Sequence, residues 1–347
     1  MRRPVGSHRR STQPGAGRGA RATVLTAAAA TAAATLGAAT ANAEPHDTPH
    51  SAGATVDRLY AEAERATEQY NKAGEDVTRL RGEVSRAQDR AARGQERINR
   101  MREELGSAAR AEYRAGGIDP SLALLLTSDP DSYLDRAAAV GMADTHRATA
   151  LAQLRGAQRA LAQTRAEAAR SLAGLEHGRE AVGRHKRTVE RKLARARQLL
   201  KAMPGAERTA YARASRDGRD PGAGLLGDLP AGSSRAAAAV LAAQRALGLP
   251  YVWGANGPSG FDCSGLMQWA WAQAGVSLPR TSQAQRYAGH MVPLSEARPG
   301  DLVAYRADAS HIAMYVGNGQ VIHAPYPGAP VRYDPVGMMP ISSVTRV

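Results

Sequence analysis

The chain has 347 residues, 46 Lys and Arg against 32 Asp and Glu, and a single cysteine. A formal charge of +14 favours anionic partners, and a lone cysteine excludes an internal disulfide framework. The length suits more than one domain, and the composition changes sharply along it.

Residues 1–43 read as an export signal. Arg2, Arg3, Arg9, Arg10, Arg18 and Arg21 form a basic, acid-free start, followed by an Ala-rich apolar run from Thr23. Ala41-Asn42-Ala43 matches a small-x-small cleavage site, so Glu44 would begin a mature chain of charge +8. Residues 236–347 hold seven Arg, no Lys and five acids, which leaves the basic excess in 44–235. A basic exported protein favours anionic wall polymers or lipid headgroups, and nucleic acid is a poor partner in that compartment.

Residues 44–203 predict a coiled-coil helical hairpin. Val56, Ala63, Tyr70, Val77, Val84, Ala91, Ile98 and Leu105 recur every seven residues, with Leu59, Ala66, Ala73 and Leu80 opening a companion row. A second run, Leu154, Leu161, Ala168, Leu175, Val182, Val189, Ala196 and Met203, has a poorer partner row. Gly116-Gly117 stops the first helix, and the apolar segment near 118–132, with Leu122, Leu124, Leu125 and Leu126, marks the tip of a hairpin roughly 90 Å long. Residues 204–233, rich in Gly, Ala, Pro and Arg, read as a flexible linker.

Residues 234–347 predict a small α+β domain: helices over 234–247, capped by Ser234, and 263–274, then antiparallel strands near 301–306, 311–316, 320–324 and 331–333. Cys263 falls between a glycine-rich loop and the second helix. A helix N-terminus lowers a thiol pKa, so this position predicts a nucleophile that needs a histidine base and an orienting partner; the alternative is a free buried cysteine acting as a small apolar residue. His290 reads as a surface residue. On a strand from His311, that residue shares a face with Ala313 and Tyr315. We expect Gly317-Asn318-Gly319 to form a three-residue loop pairing Val316 with Gln320, which places His323 opposite Ala313, diagonal to His311. A two-residue turn instead predicts that His323 points away.

FDCSG before a helix, then LPRTSQAQ, RPGDLVAY, SHIAMYVGNG and VIHAP in this order, resemble the NlpC-type cell-wall cysteine peptidases over about the last 110 residues. The resemblance implies a papain-like fold, with Cys263 as nucleophile, His311 as general base and acid, and His323 as the residue that orients His311. It also implies that Tyr251, Asp262 and Ser264 shape the pocket for the substrate's short N-terminal side. The family's usual bond joins the side-chain carboxyl of D-glutamate to the diamino acid of the peptidoglycan stem. Ala255 departs from the second glycine of many relatives. The order of signal, paired helices, linker and catalytic domain resembles the division-associated actinobacterial endopeptidases controlled by a transmembrane ABC-type complex, which implies such a partner at the coiled-coil tip.

The residue types predict acyl transfer to Cys263 followed by hydrolysis, with the backbone N–H of Cys263 holding the oxyanion. No HExxH or clustered His/Cys pattern calls for a metal or other cofactor. Two other functions fit the same layout: a non-catalytic stalk that recruits wall enzymes, and a papain-like acyltransferase or amidase.

Overall fold

The computed structural model describes residues 49–114, 116, 122, 133–214 and 233–347. The expected signal, most of the apolar segment 118–132, and residues 215–232 of the expected linker lie outside these; Leu122 is exposed. Helix α1 (Pro49–Arg114) and helix α2 (Tyr133–Ala202) form the hairpin. They run antiparallel, since Glu62 meets Lys192 near one end and Glu112 meets Arg147 near the other. The seam follows the heptad rows: Val56, Ala63, Ala66, Ala73, Val77, Ala87 and Ile98 of α1 are buried, with Leu161, Leu175, Val189 and Ala196 of α2. Alanines dominate α1's seam, so each turn buries little apolar area.

The linker expected from residue 204 starts instead with helix α3 (Gly205–Ala214). Tyr211 on α3 donates to Asp57 Oδ1 at 2.6 Å, and Gly53 would place a Cβ 3.3 Å from the Tyr211 ring. Pro204 does not break the segment because proline is tolerated just ahead of a helix.

Helix α4 (Ser234–Arg245) is capped by Ser233, one residue before the expected cap, whose hydroxyl accepts from Ala236 N. Helix α5 (Cys263–Gln273) and a single turn, α6 (Ser282–Gln285), precede the sheet. Its strands are β1 (His290–Val292), β2 (Leu302–Tyr305), β3 (His311–Gly317), β4 (Gln320–His323), β5 (Arg332–Pro335) and β6 (Ile341–Arg346). The sheet order is β1-β6-β2-β3-β4-β5, antiparallel throughout. β1 and β6 are additions to the strands legible in the sequence, and His290 is exposed on β1.

Ile312, Met314 and Val316 of β3 face α4 and α5, while Ala313 and Tyr315 face the opposite layer. The β3–β4 turn is not the expected three-residue loop. Asn318 (φ 52°) and Gly319 (φ 69°) form a two-residue turn closed by the Gly317–Gln320 pair. A bulge at Val316 then restores Tyr315 opposite Val321 and Met314 opposite Ile322. The extra residue keeps the register that a three-residue loop would have produced, so His323 points to the His311 face.

Candidate active site

Cys263 is the first residue of α5 because Asp262 caps that helix. The Asp262 carboxylate accepts from Gly265 N at 2.7 Å, satisfying one of the orphan first-turn donors. Gly265 is needed for packing: a Cβ there would lie 2.1 Å from the Ala255 carbonyl oxygen. That same carbonyl accepts from Asp262 N at 2.9 Å, so the glycine-rich loop closes directly onto the helix start. Asp262 also accepts from Gly254 N at 3.0 Å and from both Arg280 Nη atoms, at 2.9 and 2.5 Å. Asp262 and Ser264 are fully buried, with Tyr251 nearly so. Burial, then the charges of Cys263 and Asp262, push the Tyr251 phenol well up.

The two histidines meet as a relay. His311 Nε2 lies 2.8 Å from His323 Nδ1, and His323 Nε2 lies 2.9 Å from Asp334 Oδ2. Burial favours a neutral His323, with its pKa lowered to about 4. Burial pushes Asp334 up, but the hydrogen bond from His323 and the charges of His323 and Arg332 more than offset it, to about 2. A carboxylate only accepts, so His323 Nε2–H donates to Asp334, and bare Nδ1 accepts from His311 Nε2–H. His311 therefore directs Nδ1 out of the relay, the tautomer a base beside a thiol requires.

Helix α1 covers this arrangement. Glu64 Oε1 lies 3.0 Å from His311 Nδ1, and Glu64 Oε2 accepts from Arg306 Nη1 at 2.5 Å. One turn on, Glu68 Oε1 accepts from Ser264 Oγ at 2.7 Å and from the Cys263 thiol at 3.8 Å, while Glu68 Oε2 accepts from Ser282 N at 2.8 Å. Asn71 then donates to Asp262 Oδ2 at 3.1 Å, and Glu75 accepts from Arg280 N at 3.1 Å. Aromatic contacts flank the polar row: Tyr70 meets Trp253 edge-on, and Tyr60 stacks on Tyr326.

The electrostatics of this closed state oppose nucleophilic chemistry. Burial raises Glu64, but His311 and Arg306 outweigh it and hold the carboxyl below its ordinary range. An ionised Glu64 thus occupies the Nδ1 edge of His311, the edge that His323 leaves open. Burial and the neighbouring Asp262 push Glu68 up to about 7. The expectation of a lowered thiol pKa is overturned here. Burial, followed by Glu68, Asp262 and Glu64, pushes Cys263 well up and outweighs a backbone hydrogen bond from Ile312.

Cys263, His311 and His323 thus gather in one buried region, with Tyr251, Asp262 and Ser264 around the helix start. Sequence reasoning missed Arg280, Asp334, Glu64, Glu68 and Asn71. Asp334 needed the β4–β5 register, in which His323 pairs with Arg332 and Val321 with Asp334. Glu64 and Glu68 did carry a signal: like charges four apart on one helix face are unfavourable unless another surface answers them. Among the described residues no group of three or more His, Cys, Asp or Glu has the geometry to hold a metal ion.

Residues 248–344 match the sequence model of the NlpC/P60 family. A probable endopeptidase of Corynebacterium glutamicum is 44% identical over 126 residues, covering 34% of this chain and 60% of that protein. A probable endopeptidase of Mycobacterium tuberculosis is 47% identical over 106 residues, covering 30% of this chain and 27% of that protein. The chain therefore spans less than two thirds of these curated relatives. Among solved structures, the NlpC/p60 domain of the peptidoglycan hydrolase SagA is 36% identical, covering 32% of this chain and 98% of that one, with a TM-score of 0.31. Through its C-terminal domain, the chain belongs to the NlpC/P60 family.

Proposed function

We propose that this chain is an exported peptidoglycan endopeptidase held closed by its own helix α1. The observation that carries this reading is the line His311–His323–Asp334, at 2.8 and 2.9 Å, with the lone cysteine at a helix start hydrogen-bonded to the backbone of Ile312, the residue after His311. The similarity of residues 248–344 to proteins named probable endopeptidases supports it.

With α1 lifted, His311 Nδ1 takes the Cys263 proton, and the thiolate attacks the amide carbonyl. The Cys263 N–H, a first-turn donor of α5, faces the developing oxyanion. His311 returns the proton to the leaving amine as the C–N bond breaks and the thioester remains. Water, deprotonated by His311, then releases the acid and restores the thiol. His323 and Asp334 hold the His311 ring and its tautomer. The bond we assign is the one between the D-glutamate side-chain carboxyl and the diamino acid of the stem peptide. Tyr251, Asp262 and Ser264 would then border the N-terminal part of the substrate.

The hairpin would restrain this chemistry and deliver it to the wall, where its basic surface suits anionic polymers. The apolar segment near its tip is the part we assign to a membrane partner of the ABC-type division class. Residues 1–43 would direct export.

Digestion of purified sacculi, with products read by mass spectrometry, tests the reading. The full chain carrying Glu64→Ala and Glu68→Ala should release stem-peptide fragments ending at D-glutamate. Adding Cys263→Ala should abolish them. Release that persists without the thiol, or fragments from another bond class, would contradict the assignment.

A further inference from the structure

The closed site carries information about its substrate, because Glu64 touches two groups at once. Its Oε1 lies 3.0 Å from His311 Nδ1 and its Oε2 lies 2.5 Å from Arg306 Nη1. The His311 ring has one edge available to substrate, since Nε2 is engaged by His323 at 2.8 Å. In any amide cleavage at Cys263, the nitrogen that leaves must be protonated from that available edge. Glu64 Oε1 therefore stands where the leaving nitrogen must sit. Whatever is bonded next to that nitrogen lies against Arg306.

Arg306 is built for a carboxylate. Its Nη1 also contacts Ser310 Oγ at 3.2 Å, and its carboxylate partner comes from α1 rather than from its own domain. Arg280 and Arg332, by contrast, are paired within the domain to Asp262 and Asp334. Arg306 has φ of 65°, a left-handed conformation that costs a non-glycine residue energy and persists only where its surroundings hold it. Beyond it a cavity of about 600 Å³ separates Arg306, His323, Arg332 and Met339 of the domain from Tyr60 and Glu64 of α1, and lifting α1 opens this space further. That is room for an amino-acid residue and its continuation.

We propose that Arg306 is a carboxylate subsite on the leaving-amine side, and that Glu64 occupies it in the closed protein as a stand-in for substrate. The two oxygens of Glu64 are two bonds apart. In an α-amino acid the nitrogen and a carboxylate oxygen are three bonds apart, a comparable span. The ligand class is an amine-leaving residue with a free carboxylate beside the released nitrogen, such as a terminal diamino acid. The α1 helix and the substrate then compete for one guanidinium, so release of the helix and capture of substrate are coupled. This inference rests on the endopeptidase reading, and its test separates the two.

The test uses the full chain with Glu64→Ala and Glu68→Ala, and two synthetic stem peptides differing in the leaving diamino acid: free carboxylate or carboxamide. The acid should be preferred by at least about tenfold in kcat/KM, an ion-pair difference of about 1.4 kcal/mol, expressed mainly in KM. Arg306→Gln should raise the KM for the acid until the preference is gone, and Arg306→Lys should retain part of it. Equal KM values for acid and amide before Arg306 is changed, or a preference that survives Arg306→Gln, would overturn the subsite while leaving the endopeptidase intact. Hydrolysis of neither peptide would overturn both. Calorimetry on the same chain with Cys263→Ala gives a readout without turnover: the free diamino acid should bind, and Arg306→Gln should remove that binding; heats that Arg306→Gln does not change would count against the subsite.

Discussion

Glu64 Oε1 lies 3.0 Å from His311 Nδ1, on the ring edge that His323 leaves open. Four residues further along the same helix, Glu68 meets the Cys263 thiol at 3.8 Å. One face of α1 thus engages both His311 and Cys263, occupying the open ring edge of the first and favouring the protonated thiol of the second. The closed state is chemical as well as steric.

Closure should weaken as pH rises. Glu68 is pushed up to about 7 when docked, by burial first and then by Asp262. A freed glutamate titrates near 4.3. A carboxyl whose pKa is raised on docking favours the docked state fully below the free value. That contribution is lost as pH climbs to the docked value, up to about 4 kcal/mol here. Hydrogen exchange at the start of α5 should therefore quicken between about pH 4.5 and 7 beyond its intrinsic pH dependence. Glu68→Gln should flatten that excess, and an unchanged profile in Glu68→Gln would point to another titrating group.

The relay assigns different weights to its members. In the Glu64→Ala/Glu68→Ala background, His311→Ala removes the proposed base and should cost about a thousandfold or more in kcat. His323→Ala leaves the base but frees its orientation, and a loss of roughly ten- to a hundredfold is expected. Asp334→Asn should resemble His323→Ala. Steady-state rates on one defined muropeptide decide this; total loss in His323→Ala would rank it with the base.

Gly319 couples the turn to the site. It adopts φ 69° in the two-residue turn, where a β-branched residue is strained. Gly319→Val should cost about 1–2 kcal/mol, read as a lower thermal midpoint. The penalty should also appear as reduced activity in the Glu64→Ala/Glu68→Ala background, because the register that carries His323 begins at this turn.

Much of the catalytic domain was legible because its signals are local. A cysteine before a helical run, alternating β3 residues and a glycine turn each announce themselves over a few positions. The face of His323 was also legible, but through the wrong loop: the bulge at Val316 supplies the extra residue that a longer loop would have supplied. Bulges depend on strand pairing and leave no clear local mark. β1 and β6 escaped notice because His290–Val292 is three residues long and Ile341–Arg346 is only partly buried. The heptads fixed α1's seam on α2 but not its opposite face. Glu64 and Glu68, like charges four apart, hint at an answering surface, but nothing local says that it lies some 190 or more residues away, and Asn71 carries no hint at all.

The most direct test of helix closure is the rate at which iodoacetamide alkylates Cys263, the chain's single thiol, at pH 7. With the full chain, alkylation should be at least about tenfold faster in Glu64→Ala/Glu68→Ala than in the unaltered protein, as the thiol gains access and loses two neighbouring carboxylates. Equal rates in the two proteins would contradict the account, because a thiol already reactive beneath α1 is not being restrained by it.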